Sequence, residues 1–172
     1  MTTNEDIRNI QINVREAFTK SPENALNTSK SYAEVTNALV CTYSEGSRKT
    51  IMDMPTIAGG NDEGPTPGFH ARAAIAGCVA IGIKQEAIFR QIKCESIKVE
   101  LEMDFDDAAM FGIGENTAAP LNTRLLIMIV SEEAQERLKN LVDRVLEMDP
   151  YFLALRDSQS VSAELKVLKI ED

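Results

Sequence analysis

Residues 55–83 read PTIAGGNDEGPTPGFHARAAIAGCVAIGI. The first half of this stretch is a loop, because Gly59, Gly60, Gly64, Pro65 and Pro67 interrupt any regular element. Thr66 stands where a helix N-cap stands and Pro67 at the first helical position, so the spacing predicts a helix from Pro67 to about Gln91. Ala71, Ala73, Ala74, Ile75, Ala76, Val79, Ala80 and Ile81 cover nearly every face of its middle, which predicts burial on all sides. Polarity returns at Lys84-Gln85-Glu86, which predicts a solvated C-terminal end. Near the centre stands one cysteine, Cys78. A core helix that presents a thiol either packs the sulfur as a small hydrophobe or uses it.

Working outward, Thr3 with Asp6 forms a capping-box-like start, and Ile7, Ile10, Val14, Ala17 and Phe18 follow at helical spacing. This predicts an amphipathic helix laid on the main domain, and the polar stretch SPENALNTSK then breaks it. Residues 1–30 are therefore expected to be an appended helix and linker, with the main domain at 31–172. A strand within Tyr32–Tyr43, a turn at Ser44-Glu45-Gly46-Ser47 and a strand Lys49–Met54 predict a hairpin. Beyond the central helix, Ile97, Val99, Leu101, Met103 and Phe105 alternate with Lys98, Glu100, Glu102 and Asp104, a half-buried strand. A loop over Asp106–Leu121 and a more buried strand from Asn122 to Ser131 come next. Ser131 with Glu132 and Glu133 is read as opening a second long helix, striped by Leu138, Leu141, Val142, Val145 and Leu146 and ended by Asp149-Pro150. A short turn, Tyr151–Arg156, and a last alternating strand, Val161–Ile170, complete the chain. The order α, β-β-α-β-β-α-β predicts an α+β domain with helices packed on a largely antiparallel sheet.

Composition narrows the functional classes. At 172 residues the chain suits one domain able to bury a core without disulfides or metal. A net charge of −9 provides no basic stripe for phosphates, so nucleic acid is excluded as a partner; the scattered acids serve solubility. The longest apolar run, Leu125–Val130, falls far short of the roughly 20 residues of a membrane span. MTTNEDIRNIQ lacks the basic and apolar regions of a secretory signal, and three cysteines without a C-x-x-C pair do not form a disulfide framework. A reducing cytoplasm is the expected location. One histidine, His70, rules out a multi-histidine metal site within one chain. Asp104, Asp106 and Asp107 lack calcium-loop spacing, and the glycine loop lacks the lysine and G-x-G-x-x-G spacing of a phosphate cradle. No cofactor and no metal are expected.

Gly59-Gly60, Gly64-Pro65-Thr66-Pro67 and Ala76-Gly77-Cys78 resemble the loop-and-helix motif of the osmotically inducible protein C (OsmC) and organic hydroperoxide resistance (Ohr) family. The element order from about residue 35 to 170 is similar too, while Met54-Pro55 and Asp104-Phe105-Asp106 resemble a branch that carries an N-terminal helix. The resemblance implies an OsmC-like intertwined homodimer with sites at the interface. It also implies a thiol peroxidase in which the thiolate at Cys78 attacks an organic hydroperoxide and becomes a sulfenic acid. In the family a second cysteine, late in the second long helix, closes a disulfide, and an arginine and a glutamate favour the thiolate. Here Asp149 stands before Pro150 where the resolving cysteine is usual, and Gly68 follows Pro67 where the glutamate is usual. Arg48 in the hairpin is available for the arginine, without a firm alignment. Only Cys78 carries over residue by residue.

Two functions of different class follow. One is a one-cysteine, peroxiredoxin-like reductase of organic hydroperoxides in oxidative stress defence, catalytic at Cys78 and resolved by an external thiol reductant. The alternative is a catalytically inactive dimer that binds a small molecule or a protein, which the loss of both supporting positions favours; a carboxylate at Asp149 disfavours a thiolate. Cys41 and Cys94 replace the missing thiol only if they come within disulfide reach, and otherwise are structural. His70 lies some 80° around the helix from Cys78 and roughly 12 Å along it, so it and Arg72 are read as facing solvent or a partner subunit.

Overall fold

The computed structural model describes residues 2–168. Helix α1 (Asn4–Lys20) begins at a true capping box: Thr3 Oγ1 accepts from Asp6 N, and the Asp6 carboxylate accepts from Thr3 N at 2.8 Å. Two antiparallel sheets follow rather than one. The first contains β1 (Tyr32–Val35), β2 (Cys41–Glu45) and β3 (Arg48–Met52) in that order. The expected hairpin is thus a three-stranded meander, because Tyr32–Tyr43 is broken at residues 36–40, where Ala38 has φ 49°. The β2–β3 turn is the two residues Gly46-Ser47, with Glu45 paired to Arg48, and Gly46 supplies the positive φ of 56° that such a tight turn requires.

Helix α2 (Pro67–Phe89) starts as predicted, with Thr66 Oγ1 accepting from Phe69 N at 3.2 Å and Pro67 in the first turn. The second sheet pairs β4 (Ser96–Asp104) with β5 (Asn122–Val130), from Ser96 opposite Val130 to Asp104 opposite Asn122. This register gathers Ile97, Val99, Leu125, Ile127 and Ile129 on the face that packs against the core. Helix α3 (Gln135–Leu146) starts four residues later than Ser131. Ser131 is occupied otherwise: its hydroxyl donates to Lys93 O and accepts from Glu133 N, which makes a turn and not a helix cap. The predicted turn after Asp149-Pro150 is a short helix, α4 (Pro150–Arg156), because Asp149 Oδ1 accepts from both Tyr151 N and Phe152 N as its N-cap.

The expected last strand is not formed over residues 161–168; the rest of it lies outside the described residues. Alternation marks a face but supplies no ladder partner, and Val161 and Leu165 stay 82% and 86% exposed.

The core is a sandwich of the α2 C-terminal half between β4–β5 and α3: Val79, Ile83, Ala87, Ile92, Cys94, Leu141 and Val145 are buried together. Ile83 is fully buried there, so Ile83→Val should cost about 1 kcal/mol, read as a fall in melting temperature of about 2–4 °C. The all-round burial expected of α2 is only half met. Ile75, Val79, Ile83, Ala87 and Ile88 face inward, while Phe69 (53%) and Ile81 (62%) stay exposed and leave an apolar face bare. Helix α1 departs from expectation too. Of its predicted stripe Ile7 is half-buried, as is Ile12, while Ile10, Val14 and Phe18 are exposed, and its hydrogen bonds to α2 run through Arg8 and Arg15.

Candidate functional site

The loop before α2 is built on one carboxylate. Asp53, 1% exposed at the end of β3, accepts from Met54 N (2.7 Å), Asn61 N (2.9 Å) and Glu63 N (3.1 Å). Burial pushes the Asp53 carboxyl up, but these backbone donors, Glu63 first, outweigh it and hold it below the usual range. The chain closes so tightly that a Cβ on Gly60 would lie 1.8 Å from Met54 O. Gly60→Ala should therefore force the loop open and cost about 1–3 kcal/mol, measured by denaturant unfolding. This loop fixes where α2 begins, and so where Cys78 sits.

Cys78, three turns along α2, is half-buried beside a cavity of about 240 Å³. Gln11 and Arg15 from α1, Ile81, Gly82, Gln85 and Glu86 from α2, Val145 from α3, and Met148, Asp149 and Pro150 at the α3–α4 junction complete the wall, so the exposed Ile81 joins the cavity to the bare face of α2. Gly82 lets the helices close here, since a Cβ would meet Val145 Cγ1 at 3.1 Å and Asp149 Oδ2 at 4.0 Å. Burial, and then the Asp149 carboxylate through a hydrogen bond and its charge, push the Cys78 thiol up to about 11. At neutral pH the sulfur is therefore a thiol and not a thiolate.

The far end of the cavity is an ion pair of Arg15 and Glu86. Glu86, 3% exposed, accepts from Arg15 Nη2 (2.8 Å), Arg90 Nε (2.7 Å) and Arg144 Nε (2.8 Å), which reach it from α1, the end of α2 and α3. Burial pushes the Glu86 carboxyl up, but the hydrogen bonds from Arg90, Arg15 and Arg144 together hold it below the usual range. The expected solvated end of α2 is thus a buried ion cluster. Arg15 also lies over the Phe89 ring, 3.8 Å from its centroid, and is the one cation lining the cavity among the described residues.

Of the residues singled out by sequence, the structure brings only Cys78 and Asp149 together. Cys41 lies on β2 and Cys94 in the core, both free thiols and neither lining the Cys78 cavity. Arg48 opens β3, and His70 and Arg72 sit in the first turns of α2, all away from that cavity. A Cβ on Gly68 would lie 3.1 Å from Arg72 Nη1, so the guanidinium fills the space beside the missing glutamate position. Asp104 is gripped by Arg124 through two hydrogen bonds of 2.6 and 2.8 Å, and Asp106 caps a turn by accepting from Ala108 N. No cluster suited to a metal ion occurs among the described residues, nor is any helix among them long and apolar enough to cross a membrane. Sequence reasoning missed Gln11, Arg15, Glu86 and Asp53. The local signal for Asp53 was an acid between a strand end and a glycine loop; for the Glu86 cluster it was the i,i+4 spacing of Glu86 and Arg90 alone, since the other two arginines lie 58 and 71 positions away.

Solved structures share this architecture. An OsmC-like protein from Mycoplasma pneumoniae superposes with a TM-score of 0.64 at 14% identity, over 76% of this chain and 88% of that one. An organic hydroperoxide resistance protein from Elizabethkingia anophelis gives 0.54 at 18% identity, over 76% and 89%. An organic hydroperoxide resistance protein OsmC from Legionella pneumophila gives 0.52 at 21% identity, over 76% and 90%. No curated protein sequence matches this chain. The family model described as OsmC-like protein matches residues 59–164, from the glycine loop through α2, both strands of the second sheet, α3 and α4. By that match, which takes in most of the chain and the Cys78 helix whole, this protein belongs to the OsmC-like family.

Proposed function

We propose that this protein reduces organic hydroperoxides through Cys78, as a cytoplasmic homodimer of the one-cysteine kind resolved by an external thiol, in oxidative stress defence. In this reading residues 31–172 form the OsmC-like domain and residues 1–30 an appended helix and linker. The observation that carries it is the position of Cys78: a half-buried thiol at a solvent-connected cavity that holds the Asp149 carboxylate at one end and the Arg15–Glu86 ion pair at the other. Relatives of the same fold are named for organic hydroperoxide resistance, which supports the substrate class.

The chemistry is a two-electron transfer. As the sulfur attacks the distal peroxide oxygen, an S–O bond forms and the O–O bond breaks. The alcohol leaves with the thiol proton, and Cys78 becomes a sulfenic acid. Asp149, beside the S–H group, is placed to take that proton as attack begins and to return it to the departing alkoxide. With the thiol near 11, the thiolate fraction rises about tenfold per pH unit below that value, so peroxide consumption should climb steadily from pH 7 to pH 10.

Two observations support the dimer. A compact chain of 19.0 kDa should expose about 8,400 Å². This one exposes 13506 Å². The excess is several times the roughly 800 Å² per partner of a standard interface. The bare apolar face of α2 is the second observation, since a helix this apolar is stable when covered. Light scattering should return twice 19.0 kDa; a monomer at micromolar concentration would overturn this part.

The second reading, a non-catalytic binding dimer, is favoured by the same Asp149, because a thiol at about 11 is a poor nucleophile. One experiment separates the two. Wild type and Cys78→Ser are mixed with an organic hydroperoxide and a thiol, and peroxide loss and sulfenic-acid labelling are followed. Labelling of Cys78 and loss of turnover in the variant support the peroxidase. Equal consumption by both proteins, without labelling, leaves the binder.

A further inference from the structure

We propose that Met148 is a second oxygen acceptor in the Cys78 cavity, a modification site at which a bound organic hydroperoxide converts the thioether to a sulfoxide. The inference rests on the seat for organic hydroperoxides in the reading above, and not on the reactivity of Cys78. Two observations carry it. Among the described methionines Met148 alone lines this cavity, and it is 48% exposed. It directly precedes Asp149, whose carboxylate meets the Cys78 thiol, so methionine and cysteine share one end of the cavity.

The second observation is the apolar wall around that end. Ile81 stands one turn beyond Cys78 on α2, Met148 N donates to Val145 O at 2.9 Å, and Pro150 follows Asp149. Ile81, Val145 and Pro150 all line the cavity with Met148. An alkyl or aryl group covers such a wall and holds its peroxide beside the two residues, whereas hydrogen peroxide has no group to seat there. Burial and the Asp149 carboxylate keep Cys78 a thiol at neutral pH. A thioether has no proton to lose, so Met148 is the acceptor that needs no deprotonation. Its flexible side chain lets the sulfur approach a ligand in more than one pose.

The transfer is a single balanced step. A lone pair of the Met148 sulfur attacks the distal peroxide oxygen, an S–O bond forms and the O–O bond breaks. The peroxide proton passes to the departing alkoxide, which leaves as the alcohol. The thioether is oxidised by two electrons and the hydroperoxide is reduced by the same two. Methionine sulfoxide reductases return the polar sulfoxide to the thioether. Met110, on the loop after β4, is the internal control. It is 61% exposed, more than Met148, and does not line the cavity. Exposure alone favours Met110 with any oxidant, and most of all with a bulky one, whereas binding in the cavity favours Met148.

The test treats wild type and Cys78→Ser at pH 7 with cumene hydroperoxide or with hydrogen peroxide, and tandem mass spectrometry times the addition of one oxygen at each methionine. The ratio of the Met148 rate to the Met110 rate should be about tenfold or more higher with cumene hydroperoxide, as expected when reactants are held together. An excess of the product alcohol, 2-phenyl-2-propanol, should slow Met148 and leave Met110 unchanged. Cys78→Ser should show the same ratios as wild type, because the oxygen does not pass through the thiol. Equal ratios for the two oxidants would overturn the inference, since oxidation would then follow exposure alone. So would a Met148 rate that the alcohol does not slow, or a preference lost in Cys78→Ser. The two readings fail separately. If Cys78 takes no sulfenic-acid label while the Met148 preference holds, the peroxidase reading falls and the modification site stands. If Cys78 is labelled and the ratios are equal, the modification site falls alone.

Discussion

Replacing Glu86 with alanine should lower the unfolding free energy by about 3 kcal/mol, a fall in melting temperature of about 6–12 °C for a chain of this size. The side chain is 3% exposed and is the meeting point of guanidiniums from α1, the end of α2 and α3. Removing it leaves those cations facing one another over a void. Because the arginine side chains are 37–45% exposed and can turn to water, the cost belongs at the lower end of the range for a broken buried pair. Glu86→Gln keeps the volume and should cost less. The sign of the pH dependence follows from the depressed Glu86 carboxyl: its contribution is present above its ordinary 4.5 and disappears as pH falls through the lower folded value. Urea unfolding of wild type and Glu86→Ala at pH 7 and at pH 3 should therefore converge at the acid end. A difference below about 1 kcal/mol at pH 7 would mean that the cluster only decorates a core stabilised elsewhere.

Asp149→Asn should raise the share of Cys78 that is thiolate at pH 8, and with it alkylation, while removing the proton acceptor that peroxide attack uses. Asparagine caps a helix as well as aspartate does, so α4 keeps its first turn, while the charge that disfavours the thiolate is gone. The thiol should fall from about 11 toward its ordinary 9.0, without reaching it, because burial remains the larger cause. Each unit recovered raises the thiolate fraction at pH 8 about tenfold, and iodoacetamide alkylation followed by mass spectrometry reads this directly. The linked stability effect has the opposite pH sense to that of Glu86. A thiol raised in the folded state stabilises it below 9.0, and this is lost as pH rises toward 11. The variant should therefore lose less stability than wild type between pH 9 and pH 11. An unchanged alkylation profile would show that Asp149 does not govern the sulfur.

What the sequence made legible was local. Thr66-Pro67 announced the start of α2, the β4 alternation holds from Ile97 to Met103 and fails at Asp104, half-buried, and Phe105, exposed beyond the strand end, and the stripe from Leu138 to Leu146 packs as its spacing requires. Each of these depends on neighbours a few positions away. The three-stranded meander was misread because Asn37 was the sole turn residue beside the left-handed Ala38, which splits one apolar run into two strands. Asp149 was legible as the residue beside the sulfur only through the resemblance. Glu86 was read as a solvated helix end, since an i,i+4 pair with Arg90 suits an exposed helix face and the two distant arginines, Arg15 and Arg144, leave no periodic trace. Helix α1 lies on the body as read, but of its predicted stripe Ile7 is half-buried while Ile10, Val14 and Phe18 stay exposed, and Arg8 and Arg15 hydrogen-bond to α2.

That orientation has a consequence for how the protein responds to proteases. Helix α1 has no fully buried residue, yet two of its side chains wall the thiol cavity, and the connector behind it, residues 22–31, is exposed throughout. A single cut in that connector would leave the family-matched region, residues 59–164, untouched and free a segment whose departure widens the approach to the sulfur. Trimming at the amino end is thus a route by which a distant cleavage changes thiol chemistry.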